Sequence, residues 1–211
     1  MSYVFKVFIL VLAIIFFGFS HSFLASLKVK IYVKENLPRL IPFYRFIYNL
    51  ISILILLVFF IYLPQSDITI YDLIKPYDFI ILGFQFFSLL SLIWTFRYFS
   101  YKEFLGISQI ARWYQKNYDI NDLDEKMTLK IEGPYKYMRH PVYFFSILFL
   151  IFRPYMDLTY LVLIIGAIIY FYVGSYYEEK KLIKIFGEEY IHYQKLVPRI
   201  FPLKPFHPYN T

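Results

Sequence analysis

Apolar residues in this chain fall into long blocks separated by charged loops, and that placement limits what it can fold into. Residues 3–25, 46–63, 79–96 and 158–177 are almost free of charge. Each run is long enough for a helix to cross a hydrocarbon core about 30 Å thick. Residues 142–152 are also apolar but too short to cross alone, at about 1.5 Å of rise per residue. The order predicts an all-α integral membrane protein of about five transmembrane helices. The last two form a helical hairpin around "RPYMD" (153–157) whose first arm begins near His140. Composition agrees, because 59% of the 211 residues are hydrophobic, above the roughly 45–50% of soluble domains. A cleaved signal peptide is the alternative for the first run. Only Lys6 lies near its start, and "SFLAS" puts Phe23 where a small residue is wanted, so a retained helix is expected.

Loop charges orient the helices. Lys28, Lys30, Lys34, Arg39 and Arg45 lie between the first two runs, whereas Asp67, Asp72 and Asp78 dominate the next loop. Eight Lys and Arg occur in 97–139, and the tail after Tyr177 is rich in them. By the positive-inside rule the N-terminus is outside, while the first loop, the 97–139 segment and the C-terminus are cytoplasmic. In a prokaryote this is the cytoplasmic membrane. The whole chain reads as one multi-pass domain. Residues 1–100 hold three spans, 101–138 a solvated cytoplasmic loop with "NYDINDLDEK", and 139–211 the hairpin and tail. Residues 178–196 read as a C-terminal amphipathic helix, with Leu182, Phe186, Tyr190, Tyr193 and Val197 at helical spacing. A net charge of +7 suits anionic lipid headgroups of the bilayer rather than nucleic acid, because the cations sit in short loops between apolar runs. Without cysteine there is no disulfide, thiolate nucleophile or cysteine metal site.

Chemistry concentrates near the C-terminal end. None of the seven glycines forms GxG, so neither a dinucleotide fingerprint nor a glycine-rich phosphate loop is present. "EYIH" (189–192) matches a di-iron element only once, so no metal is expected. In "GPYKYMRHPVYFF" (133–145), Gly133-Pro134 signals a turn and Pro141 suits the first turn of a helix. Arg139 and His140 then stand at the positive end of a helix dipole, where an anion is favoured. Snorkelling of both cations to headgroups is the competing reading. Glu178 and Glu179 end the last run at a similar depth, where carboxylates need partners. They suit a salt bridge to Arg139, a ligand ammonium or ribose hydroxyls. "VPRIFP" (197–202) returns Arg199 towards the membrane.

In order and spacing, "GPYKYMRHPVYF" followed by "EEKKLIKIFGEEYIHYQKLVPRIFP" resembles the isoprenylcysteine carboxyl methyltransferase superfamily, over about residues 133–202. "FFGFSHSFLAS" (16–26), "FYRFIYNLIS" (43–52) and "FLGISQ" (104–109) are similar to its NnrU-like branch, which includes methanethiol S-methyltransferases. The resemblance implies methyl transfer from S-adenosylmethionine, held by the last two spans and the tail, to a small or lipophilic thiol. It matches His140, Tyr143, Glu178 and Glu179 to the cofactor side, with Tyr135, Arg139 and Pro141 shaping the mouth. Phe186, Tyr190 and Tyr193 match the aromatic tail over the nucleoside, and Arg199 the closing Val-Pro-Arg. Arg139, Arg199 and the sulfonium would favour a thiolate, and His140 could serve as a base. His21, beside Ser22 at the end of the first span, could line an acceptor pocket, with Glu103 and Gln109 flanking its roof. Two other functions stay open. One is an NADPH-dependent membrane reductase of the same superfamily. The other is a non-catalytic NnrU-like accessory protein in nitrogen-oxide metabolism.

Overall fold

The computed structural model describes residues 3–62, 66–202 and 209. In chain order its elements are α1 (Tyr3–Ala25), α2 (Leu27–Asn36), α3 (Ile41–Ile61), β1 (Thr69–Asp72) and α4 (Tyr77–Thr95). Then follow α5 (Tyr101–Phe104), α6 (Ile107–Tyr114), α7 (Pro141–Ile151), β2 (Tyr155–Asp157), α8 (Leu158–Phe186) and α9 (Glu188–Leu196). Four helical stretches are long and apolar enough to cross a membrane: Val4–Ala25, Pro38–Ile61, Tyr77–Tyr98 and Leu158–Phe186. Helix α7 is apolar but shorter. A helix suits such stretches because it pairs its own backbone groups, which hydrocarbon cannot do. Their outward side chains, Phe16, Phe19, Ile61 and Phe87 among them, are largely exposed, as lipid-facing residues are. Leu63, the last residue of the second apolar run, lies outside the described residues.

Two segments differ from the sequence reading. The polar stretch 101–138 is not one open loop: it carries α5, α6 and a 3-10 turn over Gly133–Lys136. The tail is not one amphipathic helix either. Helix α8 runs unbroken through Glu178 and Glu179 to Phe186, then stops at Gly187, whose φ of +58° suits glycine. Helix α9 buries Tyr190 and Tyr193, with Val197 beyond it, against Leu129, Ile131, Leu182, Ile183, Phe186 and Tyr209. Protein, rather than a membrane surface, covers that face.

The chain divides into two compact units: Met1–Pro64 with Ser100–Met127, and Gln65–Phe99 with Thr128–Thr211. In the first unit α3 turns a polar stripe inward, burying Arg45, Tyr48, Asn49 and Ser52. His21 Nδ1 lies 2.8 Å from Ser52 Oγ, which donates to the Tyr48 carbonyl at 2.8 Å. Asn49 donates to the Phe104 carbonyl at 2.9 Å. Buried Lys30 and Arg45 are met by Asp124, and Arg45 also by Glu125. That pairing explains why "NDLDEK" is folded onto α2 and α3. Glu103 and Arg112 form a two-pronged pair at 2.5 and 3.2 Å. Burial acts to raise the Glu103 pKa, but the hydrogen bonds and charge of Arg112 prevail and hold it below its usual value.

In the second unit α4 lies along α7, with Gln85 donating to the Phe149 carbonyl at 3.1 Å and the Phe84 and Phe152 rings 5.3 Å apart. Strands β1 and β2 pair antiparallel, Thr69 opposite Asp157 and Asp72 opposite Tyr155. Asp157 then caps α8 by accepting from the Tyr160 N–H at 2.7 Å. This sheet ties together the end where α7 stops and α4 and α8 begin. The start of α7 and the later turns of α8 therefore meet at the other end of the unit.

Gly106 has φ +85°, and a Cβ there would lie 2.6 Å from the Phe46 nitrogen and 3.1 Å from Arg45 Cβ. Both the backbone conformation and the close approach require glycine. Gly106→Ala is expected to destabilise the first unit by about 1–3 kcal/mol. It would appear as a lowered thermal unfolding midpoint in detergent.

Candidate functional site

The Gly133-Pro134 turn leads the chain to Arg139, and Pro141 opens α7 with His140 as its N-cap. The tail returns beside it. The Arg139 N–H donates to the Pro198 carbonyl and the His140 N–H to the Arg199 carbonyl, each at 2.9 Å. Arg-His-Pro and Val-Pro-Arg, far apart in sequence, are thereby joined through their backbones.

Glu179 stands at the centre, 2% exposed. Its Oε1 accepts from Arg139 Nε at 2.7 Å and faces His140 Nε2 at 3.1 Å. Its Oε2 accepts from Gln194 Nε2 at 3.0 Å and Arg199 Nε at 3.1 Å. Arg139 Nη1 also donates to the carbonyls of Gln194 and Val197. The Arg199 guanidinium lies over the Tyr172 ring, 5.3 Å from its centroid. A buried carboxylate needs this degree of pairing, because desolvation costs several kcal/mol per ion.

Glu178 is placed differently. Its side chain is 41% exposed, accepts from the Tyr143 hydroxyl at 2.9 Å and lies 3.4 Å from His140 Nδ1. The rings of His140, Tyr143 and Phe171 stack in series, with centroids 5.3 and 4.9 Å apart and planes within 4° and 15°. Burial tends to lower the His140 pKa, but hydrogen bonds to Glu178 and Glu179 outweigh it and raise the value. Burial, with the Glu178 charge, pushes the Tyr135 hydroxyl up. Tyr135 also accepts from the Tyr193 hydroxyl through its carbonyl at 2.5 Å.

The sequence-derived residues are thus distributed. Tyr135, Arg139, His140, Pro141, Tyr143, Glu178, Glu179 and Arg199 converge at one end of the second unit. Tyr190 and Tyr193, each 2% exposed, belong to its core, whereas Phe186 is half-buried at the end of α8. His21, Glu103 and Gln109 lie in the first unit, as does exposed Ser22. Gln194, Phe171 and Tyr172 join the site without having been singled out. Gln194 falls one turn after Tyr190 on α9, and Phe171 and Tyr172 each fall seven residues, about two turns, before Glu178 and Glu179 on α8. Helical spacing from residues already chosen would have found all three.

Chemically, the site presents a carboxylate and a phenol beside an aromatic stack. The arginines face inward. Arg139 and His140, with side chains 7% and 5% exposed, neither snorkel to headgroups nor stand open to an anion. Both are directed at Glu179.

No protein-family model matches the chain. No solved structure matches it either. The chain is similar to the methanethiol S-methyltransferase of Crocosphaera subtropica, 29% identical over 193 residues, which cover 88% of this chain and 71% of that protein. It is 40% identical over 68 residues to the methanethiol S-methyltransferase of Pseudomonas deceptionensis, 32% of this chain and 26% of that one. Against methanethiol S-methyltransferase 1 of Bradyrhizobium diazoefficiens the identity is 37% over 68 residues, 32% of this chain and 24% of that one.

The two adjacent glutamates separate under substitution. Glu179→Gln leaves buried cations short of their counter-charge and is expected to destabilise the protein by about 3 kcal/mol or more. Glu178→Gln, at a partly exposed position, is expected to change the thermal midpoint little. Equal effects from the two substitutions would contradict these assignments.

Proposed function

We propose that this protein is an S-adenosylmethionine-dependent membrane methyltransferase that acts on a small or lipophilic thiol. Similarity to a methanethiol S-methyltransferase across 88% of the chain carries the reading. The donor set of the site supports it. The exposed side of Glu178 suits an ammonium or ribose hydroxyls, and Tyr143 orients that carboxylate. The His140–Tyr143–Phe171 stack gives an apolar wall, and aromatic faces favour a cationic sulfur centre.

A bound S-adenosylmethionine would supply a sulfonium methyl, whose carbon an acceptor sulfur would attack in line as the bond to the S-adenosylhomocysteine leaving group breaks. The protein's contribution is alignment, which can account for about 7–11 kcal/mol of barrier. Glu179 serves this by fixing Arg139, His140 and Arg199 in one rigid cluster. A free thiol titrates near pH 8.5, and the sulfonium charge of the bound donor would favour its ionised form. His21 is assigned to handling the acceptor.

The reductase alternative fits less well. NADPH carries several phosphates, whereas the accessible charge here is a carboxylate and both arginines are directed at Glu179. Thermal unfolding in detergent with S-adenosylhomocysteine, with NADPH or with neither tests the reading, since a bound ligand raises the midpoint. Stabilisation by S-adenosylhomocysteine is expected, lost in Glu178→Gln and retained in His21→Ala, which should lose only methanethiol turnover. Stabilisation by NADPH alone, or by neither ligand, would overturn it.

A further inference from the structure

We propose that His140 is held as an imidazolium that donates from both ring nitrogens, and that it positions Glu178 rather than acting as a base. The argument begins with Glu179. Arg139, Gln194 and Arg199 all donate to its two oxygens. A protonated Glu179 would aim its own hydrogen at donors, so it is ionised. His140 Nε2, 3.1 Å from Oε1, must then carry a hydrogen.

The second nitrogen faces another acid, with Nδ1 3.4 Å from Glu178 Oε2. That oxygen already accepts the Tyr143 hydrogen at 2.9 Å. A bare Nδ1 there would set a lone pair against a carboxylate. One proton has to lie between the two groups, and imidazole is more basic than a partly exposed carboxylate by about two pKa units. The proton therefore stays on His140.

The charged and titratable groups around the ring agree. Glu178 and Glu179 approach from α8, Tyr143 stacks on it from α7, and Arg139 precedes it. Arg199 is on the far side of Glu179, and its backbone carbonyl accepts the His140 N–H. Both carboxylates favour the charged ring, and the net pKa of His140 is raised. With both N–H groups occupied, the ring has no lone pair with which to accept a proton. Its effect on a ligand passes through Glu178, whose position it shares with Tyr143.

For the sign, a raised folded-state pKa means that the charged ring is complete below the ordinary imidazole value of about 6.5. It is lost as pH rises through the folded value. Nitrogen-15 NMR of histidine-labelled protein in detergent reads this directly. Of the four histidines, His140 is assigned by its loss in His140→Gln, or by elimination in His21→Asn, His192→Asn and His207→Asn if that variant does not fold. At pH 7 both His140 nitrogens should be protonated, and they should deprotonate above the ordinary imidazole value of about 6.5. Glu178→Gln should move that titration downward. A neutral His140 tautomer at pH 7, or a titration unmoved by Glu178→Gln, would overturn the proposal.

The second arm rests on the methyltransferase reading. Binding of S-adenosylhomocysteine should weaken by about tenfold or more as His140 deprotonates, the range of a lost hydrogen bond to a charged group. His140→Gln should bind weakly with no such step. A step of equal size in that variant would refute the positioning role. If S-adenosylhomocysteine fails to bind at any pH while the NMR result holds, the cofactor reading fails and the imidazolium assignment stands.

Discussion

One buried carboxylate organises the end of the second unit where Arg139, His140, Gln194 and Arg199 meet. Glu179 lies at 2% exposure within a mostly apolar unit, and an isolated charge there would cost several kcal/mol. Everything that relieves the cost also builds the site. Arg139 and His140 come from the approach to α7, Gln194 from α9 and Arg199 from the segment after it. Two backbone hydrogen bonds between residues 139–140 and 198–199 lock the approach to the tail. The four contributors belong to three different stretches of chain, so the ion cluster determines how those stretches assemble as well as how they are charged.

The first unit solves the same problem by its own means. Lys30 and Arg45 are buried cations, and the acids that answer them come from a distant hydrophilic stretch, Asp124 and Glu125. Polar groups within helical, lipid-facing units survive only with partners. In both units the partner arrives from a loop or tail rather than from a neighbouring span. Segments that look dispensable by hydropathy are therefore integral to each fold.

Much of this was readable before the structure. The apolar runs located four long helices, and Pro141 marked the start of α7, because both signals depend on local backbone chemistry. Residues 133–145, 178–179 and 197–199 could be picked out together, since their motifs carry uncommon residue types for so apolar a chain, and they meet in the second unit. Direction was not readable. Arg139 at a helix mouth suits an anion, a headgroup or an internal acid equally well, and only the position of Glu179 decides. Nor did the 3.6-residue pattern of the tail reveal what covers its apolar face, because lipid and protein make the same demand on Tyr190 and Tyr193. The break at Gly187 escaped notice because a glycine flanked by good helix formers is tolerated in many helices.

Adjacent glutamates on one helix were read as equivalent, and their separation is the main physical lesson of the site. Successive helical residues point about 100° apart, so Glu178 and Glu179 cannot share an environment. Glu179 turns inward and takes the arginines. Glu178 retains solvent on one side and rests on a phenol and an imidazole ring. The internal member makes the external one useful: with Arg139 and Arg199 committed to Glu179, no guanidinium is left to close over Glu178. A site dense in basic residues by sequence therefore offers a ligand a negative charge. That inversion follows from burial alone, since the most deeply buried acid requires the most donors.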